Sequence, residues 1–232
     1  MQLCVALDLP SKEENLALVK HLKSESIWLK VGLRSFIRDG EMLLKEIKSI
    51  NPSFKIFLDL KIYDIPNTMA DAAESISLLG VDMFNVHASS GKKAMQTVMQ
   101  RVNTLPNPPI VLAVTALTSF DNASFEAIYH TKIAEKAAQF ARDTYESGMH
   151  GVVCSVFESQ LIKAHTADTF LTLTPGIRPF GENSDDQERV ADLHTAKEAM
   201  SDFIVVGRPI YHHQDPLSVV RKILENIEPI RK

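Results

Sequence analysis

Cysteine is scarce in this chain: Cys4 and Cys154 are the only two among 232 residues, and both lie in apolar runs. Two such thiols supply neither a disulfide framework nor a cysteine-based metal site, and they read as buried, reduced thiols of a cytoplasmic protein. No run of about 18 apolar residues occurs, so no membrane-spanning segment is expected. The chain enters a strand pattern at once, without the basic region and apolar core of a signal peptide. An excess of charge is also missing. Lys and Arg number 25 against 29 Asp and Glu, a net charge of −4, which leaves no electrostatic footprint for nucleic acid or an acidic membrane. There is no dinucleotide fingerprint and no P-loop. No spacing of His, Cys and carboxylates suits a transition metal. Neither an internal repeat nor a linker divides the sequence.

What is present is alternation. Short apolar runs near 3–8, 27–31, 54–60, 83–87, 110–115, 151–154, 170–174 and 203–206 read as strands. Helical patterns follow them near 11–23, 35–49, 67–79, 91–102, 132–147, 156–164, 188–200 and 215–227. Ile133, Ala137, Phe140, Ala141 and Tyr145 show the three- and four-residue steps of one such helix. Gly80 and Gly148 stand where helices should stop. Ser11 and Asp215 stand where others should be capped, with Pro216 in the first turn. Eight strand-helix units of roughly 29 residues each have the size of βα repeats. The fold class is α/β, and the expectation is a single (β/α)8 TIM barrel spanning residues 1–232 as one catalytic domain. An open doubly wound sheet would want a glycine-rich turn after the first strand, where Asp8-Leu9-Pro10-Ser11 stands instead. Two connections are long, 116–131 and 175–187, and both follow strand C-termini, the side on which barrels carry binding loops and lids.

Chemistry concentrates after the third apolar run. Phe57-Leu58-Asp59-Leu60-Lys61-Ile62-Tyr63-Asp64 places an acid, a base and an acid within six residues. Strand parity sends Asp59 and Lys61 to one face and Leu58, Leu60 and Ile62 to the other. The same parity turns Cys4, Ala6 and Asp8 inward on the first strand, and Lys30 inward on the second. Three adjacent strands thus end in inward charges of alternating sign, which packing alone explains poorly. Unit charges about 4 Å apart interact by roughly 4 kcal/mol at an effective dielectric near 20, so such a network would hold each member's ionisation state. At the opposite side, Gly176-Ile177-Arg178 follows the seventh strand and Gly207-Arg208 the eighth, the two loops where barrels frequently bind phosphate. Gly207 would let backbone approach the ligand, and Arg208 offers a forked donor. His212-His213 reads as loop and His87 as a hydrogen-bonded residue of the mouth rather than metal ligands. Ser89-Ser90-Gly91 reads as a helix start.

These motifs resemble the orotidine 5′-phosphate decarboxylases in their short bacterial form, over essentially the whole chain. The resemblance rests on Val5-Ala6-Leu7-Asp8, Lys30-Val31-Gly32, the block from Asp59 to Thr68, and Leu117-Thr118-Ser119. It continues through Thr174 to Pro179, Asp186 to Val190, and Val206 to Ile210. Ser201-Asp202 departs from the family, standing where a small glycine-containing turn is common. The resemblance implies conversion of orotidine 5′-phosphate to uridine 5′-phosphate and CO2, the last step of UMP synthesis, with no cofactor and no metal. By the same resemblance Lys61, Asp59, Asp64 and Lys30 are the catalytic set. Lys61 would protonate C6 and Asp59 would crowd the departing carboxylate. Asp8 and Lys30 would bind the ribose hydroxyls, and Thr118 would face the pyrimidine. Gln187, Gly207 and Arg208 would hold the phosphate, with Arg178 at the base of a closing loop. Asp64, Ile65 and Thr68 would enter the active site of the other subunit of a homodimer. The alternatives are a Mg-dependent sugar-phosphate lyase or decarboxylase of the same barrel group, whose members carry an acid where this chain has Lys30, or a non-catalytic nucleotide-binding barrel.

Overall fold

Every one of the apolar runs forms a strand. The computed structural model describes residues 1–182 and 189–227. Its strands are β1 (Gln2–Ala6), β2 (Trp28–Gly32), β3 (Lys55–Ile62), β4 (Met83–His87), β5 (Ile110–Val114), β6 (Gly151–Val153), β7 (Leu171–Thr174) and β8 (Phe203–Val206). All pair in parallel with their sequence neighbours, and β8 pairs with β1 to close the barrel. The helices are α1 (Lys12–His21), α2 (Leu33–Ile50), α3 (Pro66–Leu78), α4 (Lys92–Val102), α5 (Asn122–Tyr129), α6 (Ile133–Glu146), α7 (Val156–His165), α8 (Leu193–Glu198), α9 (Arg208–Tyr211) and α10 (Pro216–Ile227). None of the described helices is long and apolar enough to cross a membrane.

Parity divides the core in two. Leu3, Val5, Leu7, Leu29, Val31, Ile56 and Leu58 point outward into the layer shared with the helices. Cys4, Ala6, Trp28, Phe57, Met83, Leu112, Val114, Val153, Leu173, Phe203 and Val205 point inward and fill the barrel. An apolar plug therefore closes the interior, and Lys30, Asp59 and Asn85 stand above it toward the strand C-termini. Local signals stop and start the helices as expected. Ser11 caps α1 in a reciprocal box with Glu14, and Asp215 accepts the Ser218 N–H at the start of α10. Gly80 and Gly148 take the left-handed conformation just past α3 and α6.

The differences are local. The strand expected over 3–8 ends at Ala6, and the Leu7 N–H still donates to the Lys30 carbonyl, so Asp8 sits just beyond the ladder. The connection 116–131 is not plain loop. It contains α5, capped by Asp121, whose buried Phe125 stacks on Tyr129 and meets Phe120 edge-on in a small apolar cluster of its own. The helix expected over 188–200 is shorter. Ala191 bridges to Ile177 as extended chain, and Asp192 caps α8 only from Leu193. A short α9 begins directly at Arg208. Ser89 and Ser90 form a 3-10 turn before Gly91 opens α4. At the Ser201-Asp202 turn, Met200 takes the left-handed conformation usually given to glycine. Asp202 then accepts bonds from Lys163 and the Thr172 N–H.

Candidate active site

Asp59 is the centre of the site. It stands on the inner face of β3 and its side chain is 14% exposed. Its Oδ1 accepts the Lys61 ammonium at 2.6 Å, and its Oδ2 lies 3.5 Å from the Lys30 ammonium. Lys30, on the inner face of β2, also donates to Asp8 at 3.2 Å. The order across the mouth is therefore Asp8, Lys30, Asp59, Lys61, with signs alternating. Burial pushes the Asp59 carboxyl up, but Lys30 and Lys61 outweigh it and hold the group below its usual range. Burial pushes Lys30 down, but Asp59 and Asp8 outweigh that and hold it above its usual range. Both stay charged near neutrality because each neutralises the other's desolvation. Gly32, which pairs with Asp59 in the ladder, is required by closeness: a Cβ there would stand 2.9 Å from Asp8 Oδ1 and 3.0 Å from Lys30 Nζ.

Lys61 reaches Asp59's side by a route that simple alternation does not describe. The β3–β4 pairing runs Leu58 to Phe84 and then Ile62 to Val86, so three residues of β3 face Asn85 alone. Lys61 takes φ 55°, a left-handed conformation that costs a non-glycine residue on the order of 1 kcal/mol. Its N–H donates to Asn85 Oδ1 at 2.8 Å. His87, at the end of β4, accepts the Ser89 N–H and meets the Ser89 hydroxyl at 2.7 Å. Burial, with the Lys61 charge behind it, holds the His87 imidazole below its usual pKa. The expectation of a hydrogen-bonded mouth residue holds there.

A cavity of about 480 Å³ opens above this wall. Its floor is apolar, from Ala6, Phe57, Val114, Val153, Leu173 and Val205. Asp8, Lys30, Asp59 and Lys61 form one side, while Arg178, Gly207 and Arg208 form another, with Thr118 also lining it. A Cβ on Gly207 would stand 3.3 Å from both Ala6 and the Tyr211 ring, so the backbone passes close there. The structure thus gathers eight of the expected residues around one space. Asp64, Ile65 and Thr68 are exposed and do not line it. Asp64 instead accepts its successor's N–H. Gln187 lies outside the described residues. Among the described residues no group of three or more His, Cys, Asp or Glu side chains is gathered as a metal would need.

Parity and motif reading missed two positions. Asn85 is fully buried and bonds both Asp59 and Lys61. A polar residue at an inward position of the Met83-Phe84-Asn85-Val86-His87 run was the available signal. Arg189 pairs with buried Glu158, which completes the capping box that Ser155 opens on α7, and donates to the Leu117 carbonyl at 3.1 Å. That contact ties the segment after β7 to the one carrying Thr118. Spacing alone offers no signal for it.

The profile of the orotidine 5′-phosphate decarboxylase / HUMPS family matches residues 1–223. This chain belongs to that family. A protein of a Nitratiruptor species named orotidine 5′-phosphate decarboxylase is 68% identical over 98% of this chain and 100% of its own length. One of the same name from Sulfurimonas denitrificans is 67% identical over the same shares. The crystal structure of orotidine 5′-phosphate decarboxylase from Lactobacillus acidophilus superposes with a TM-score of 0.84 at 32% identity, covering 98% of this chain and 99% of that one. The superposition extends over the whole barrel.

The charge wall has a consequence for stability. Asp59's depressed pKa contributes stability that is fully present above the unfolded carboxylate value, near 3.8, and is lost as pH falls through the lower folded value. Urea unfolding from pH 6 down to pH 2 should therefore show wild type losing stability more steeply than Asp59→Asn below about pH 4. Parallel curves for the two proteins would show that the folded chain does not hold Asp59 ionised.

Proposed function

We propose that this chain decarboxylates orotidine 5′-phosphate to uridine 5′-phosphate and CO2, completing UMP in pyrimidine biosynthesis, with no metal or organic cofactor. The observation that carries the reading is the charged wall itself: Lys30, Asp59 and Lys61 converge on one side of an otherwise apolar mouth. Full-length relatives bearing that enzyme's name support it.

The chemistry needs such a wall. Breaking the bond from C6 to the carboxylate leaves its electron pair on C6, as a vinyl carbanion that the ring delocalises poorly. An ammonium already fixed beside that carbon stabilises the charge as it forms and then gives C6 its proton. Lys61 has that role, and the proton it loses returns from water. Asp59 stands by the departing carboxylate and holds Lys61 in place before reaction. Asp8 and Lys30 bind the ribose, and Thr118 faces the base. Arg208 and Gly207, with Gln187, hold the phosphate, and Arg178 sits at the foot of the closing loop. The apolar floor keeps water from the carbanion and strengthens the field of the ammonium.

The Mg-dependent alternative meets a specific obstacle. The Lys30 ammonium lies 3.2 Å from Asp8 and 3.5 Å from Asp59, in the space a divalent ion would share with those carboxylates. A non-catalytic barrel has no need for four charges held at the cost of their desolvation.

The working unit we propose is a homodimer, the whole chain acting as one catalytic unit in each half. Asp64, Ile65 and Thr68 are exposed and turned away from their own cavity, as residues serving a second subunit would be. Around them the segments after β2 and β3 expose Leu33, Ile37, Tyr63 and Ile65, apolar surface that a lone chain rarely leaves uncovered. The two buried free thiols fit a cytoplasmic location.

Absorbance monitoring of orotidine 5′-phosphate in excess chelator should show full turnover, and activity that returned only with added Mg²⁺ would overturn the metal-free reading. In the same assay Lys61→Ala should lower kcat and kcat/KM together by at least about 10⁴-fold while leaving uridine 5′-phosphate affinity nearly intact.

Arg208→Ala should damage turnover without touching the base, because binding energy from the remote phosphate positions the reacting carbon. Free phosphite added with the phosphate-free nucleoside should activate wild type and activate Arg208→Ala far less. Equal activation of the two would remove Arg208 from the phosphate.

Mixing inactive Lys61→Ala and Asp64→Ala chains tests the shared site. Subunit exchange should yield mixed dimers in which one site carries both defects and the other neither, so activity returns. Exchange confirmed by mass without recovered activity would place Asp64 in its own chain's site.

A further inference from the structure

We propose that Asn85 is a positioning residue for the decarboxylation, one amide that aims both members of the Asp59–Lys61 pair. The proposal rests on the function argued above. Asn85 lies on the inner face of β4 between Met83 and His87, opposite Leu112 of β5, and is fully buried. Its Nδ2 donates to Asp59 Oδ1 at 2.8 Å, and its Oδ1 accepts the Lys61 N–H at 2.8 Å. Chemistry fixes the amide's direction, since a carboxylate only accepts and a backbone N–H only donates. Among side chains of that size only the amide offers a donor and an acceptor in one rigid plane without taking up a proton.

Two geometric facts show what the amide does. Asp59 Oδ1 receives both Asn85 and the Lys61 ammonium, which leaves Oδ2 turned to Lys30. The rotation of the carboxylate is thereby set between two cations. Lys61 is also held left-handed at the point where β3 and β4 skip register, and Asn85's oxygen takes the N–H of that residue. An outlying backbone conformation at a reacting residue persists only where its surroundings fix it. Asn85 fixes this one from the side while gripping the ammonium's counter-ion. Packing alone would favour an apolar residue here, as at the interior positions Met83 and Leu112.

Two variants separate the two bonds. Asn85→Leu keeps the branched shape, with more bulk, and removes both. Asn85→Asp keeps the acceptor for the Lys61 N–H and sets a second carboxyl against Asp59. The groups that face Asp59 are Lys30 from β2, Lys61 from β3, Asp8 and Cys4 from the first strand segment, and His87 near Lys61 from β4. Replacing a donor among them by an acid forces the new pair to share a proton.

For Asn85→Leu, kcat should fall about 10²-fold with KM changed by less than about threefold, and the Lys61 amide should lose its protection from hydrogen exchange. For Asn85→Asp, that protection should remain while the acid limb of kcat moves up by at least about one pH unit. The carboxyl ¹³C titration of Asp59, followed by NMR without substrate, should move with it. Wild-type kcat and an unmoved acid limb in Asn85→Asp, with only a lower Tm, would overturn the proposal, and this variant decides the matter even if Asn85→Leu does not fold. A wild-type protein inactive on orotidine 5′-phosphate would sink the functional reading instead. The Asp59 titration would still judge Asn85, because an unchanged titration in Asn85→Asp would show that the amide does not hold it.

Discussion

A buried carboxylate between two ammonium groups is the constraint on which the rest of this molecule depends. Asp59 cannot be taken out of water alone, nor can Lys30. Each is tolerable because the other stands within 3.5 Å, with Lys61 and Asp8 closing the series at its ends. The series needs its members on adjacent strands in order, pointing inward and level with one another. A closed parallel barrel meets those terms. Its strands advance in sequence order, so a charge at the end of β1, β2 and β3 falls on a single arc of the rim. The packing is close enough that a Cβ on Gly32, opposite Asp59, would push against the Asp8 carboxylate and the Lys30 ammonium.

The barrel's two halves then divide the work. β1 to β4 carry the ions, with Asn85 bonded to both Asp59 and Lys61. β5 to β8 contribute an apolar floor, Val114, Val153, Leu173 and Val205, followed by loops that bring Thr118, Arg178 and Arg208 to the far side. The floor is chemically active in its own way. It lowers the dielectric around the Lys61 ammonium, the group proposed to face the reacting carbon, where the same charge in water would be worth several-fold less. Arg189, paired with Glu158 of α7, also bonds the Ala116 and Leu117 carbonyls, so the start of the connection that carries Thr118 is tied to the chain just before α8.

Much of this was legible because the barrel obeys period two. Outward Leu3, Val5 and Leu58 and inward Cys4, Ala6 and Phe57 fall where alternation sends them, and Lys30 and Asp59 follow from the same rule. What escaped had other causes. The Asn122–Tyr129 helix packs on its own small aromatic cluster, so it carried no amphipathic stripe facing the barrel. The Leu193–Glu198 helix starts late because Ala191 is used as extended chain against Ile177. Asn85 was invisible as a functional residue because its partners lie 26 and 24 residues away on another strand. Regular pairing sets Asp59 beside it, and the register break between Leu58 and Ile62 brings Lys61 to it as well.

That register break also qualifies the first inference drawn from the chain. Asp59 and Lys61 do share a face, but not as members of one regular strand. A regular strand would carry Lys61's backbone on along the ladder with β4. The left-handed residue and the bulge instead turn the chain at the rim, so the Lys61 side chain comes back to Asp59 at 2.6 Å. The alternating pattern of the sequence therefore reports the result, while the cause lies in a side chain on the neighbouring strand. In the proposed reaction the Lys61 ammonium meets a carbanion at one point, and a backbone fixed in one turn holds it there better than a strand end free to fray. The same turn leads directly into the exposed segment from Tyr63 to Thr68. One local distortion thus sets Lys61 against Asp59 and presents the residues proposed to serve a second subunit.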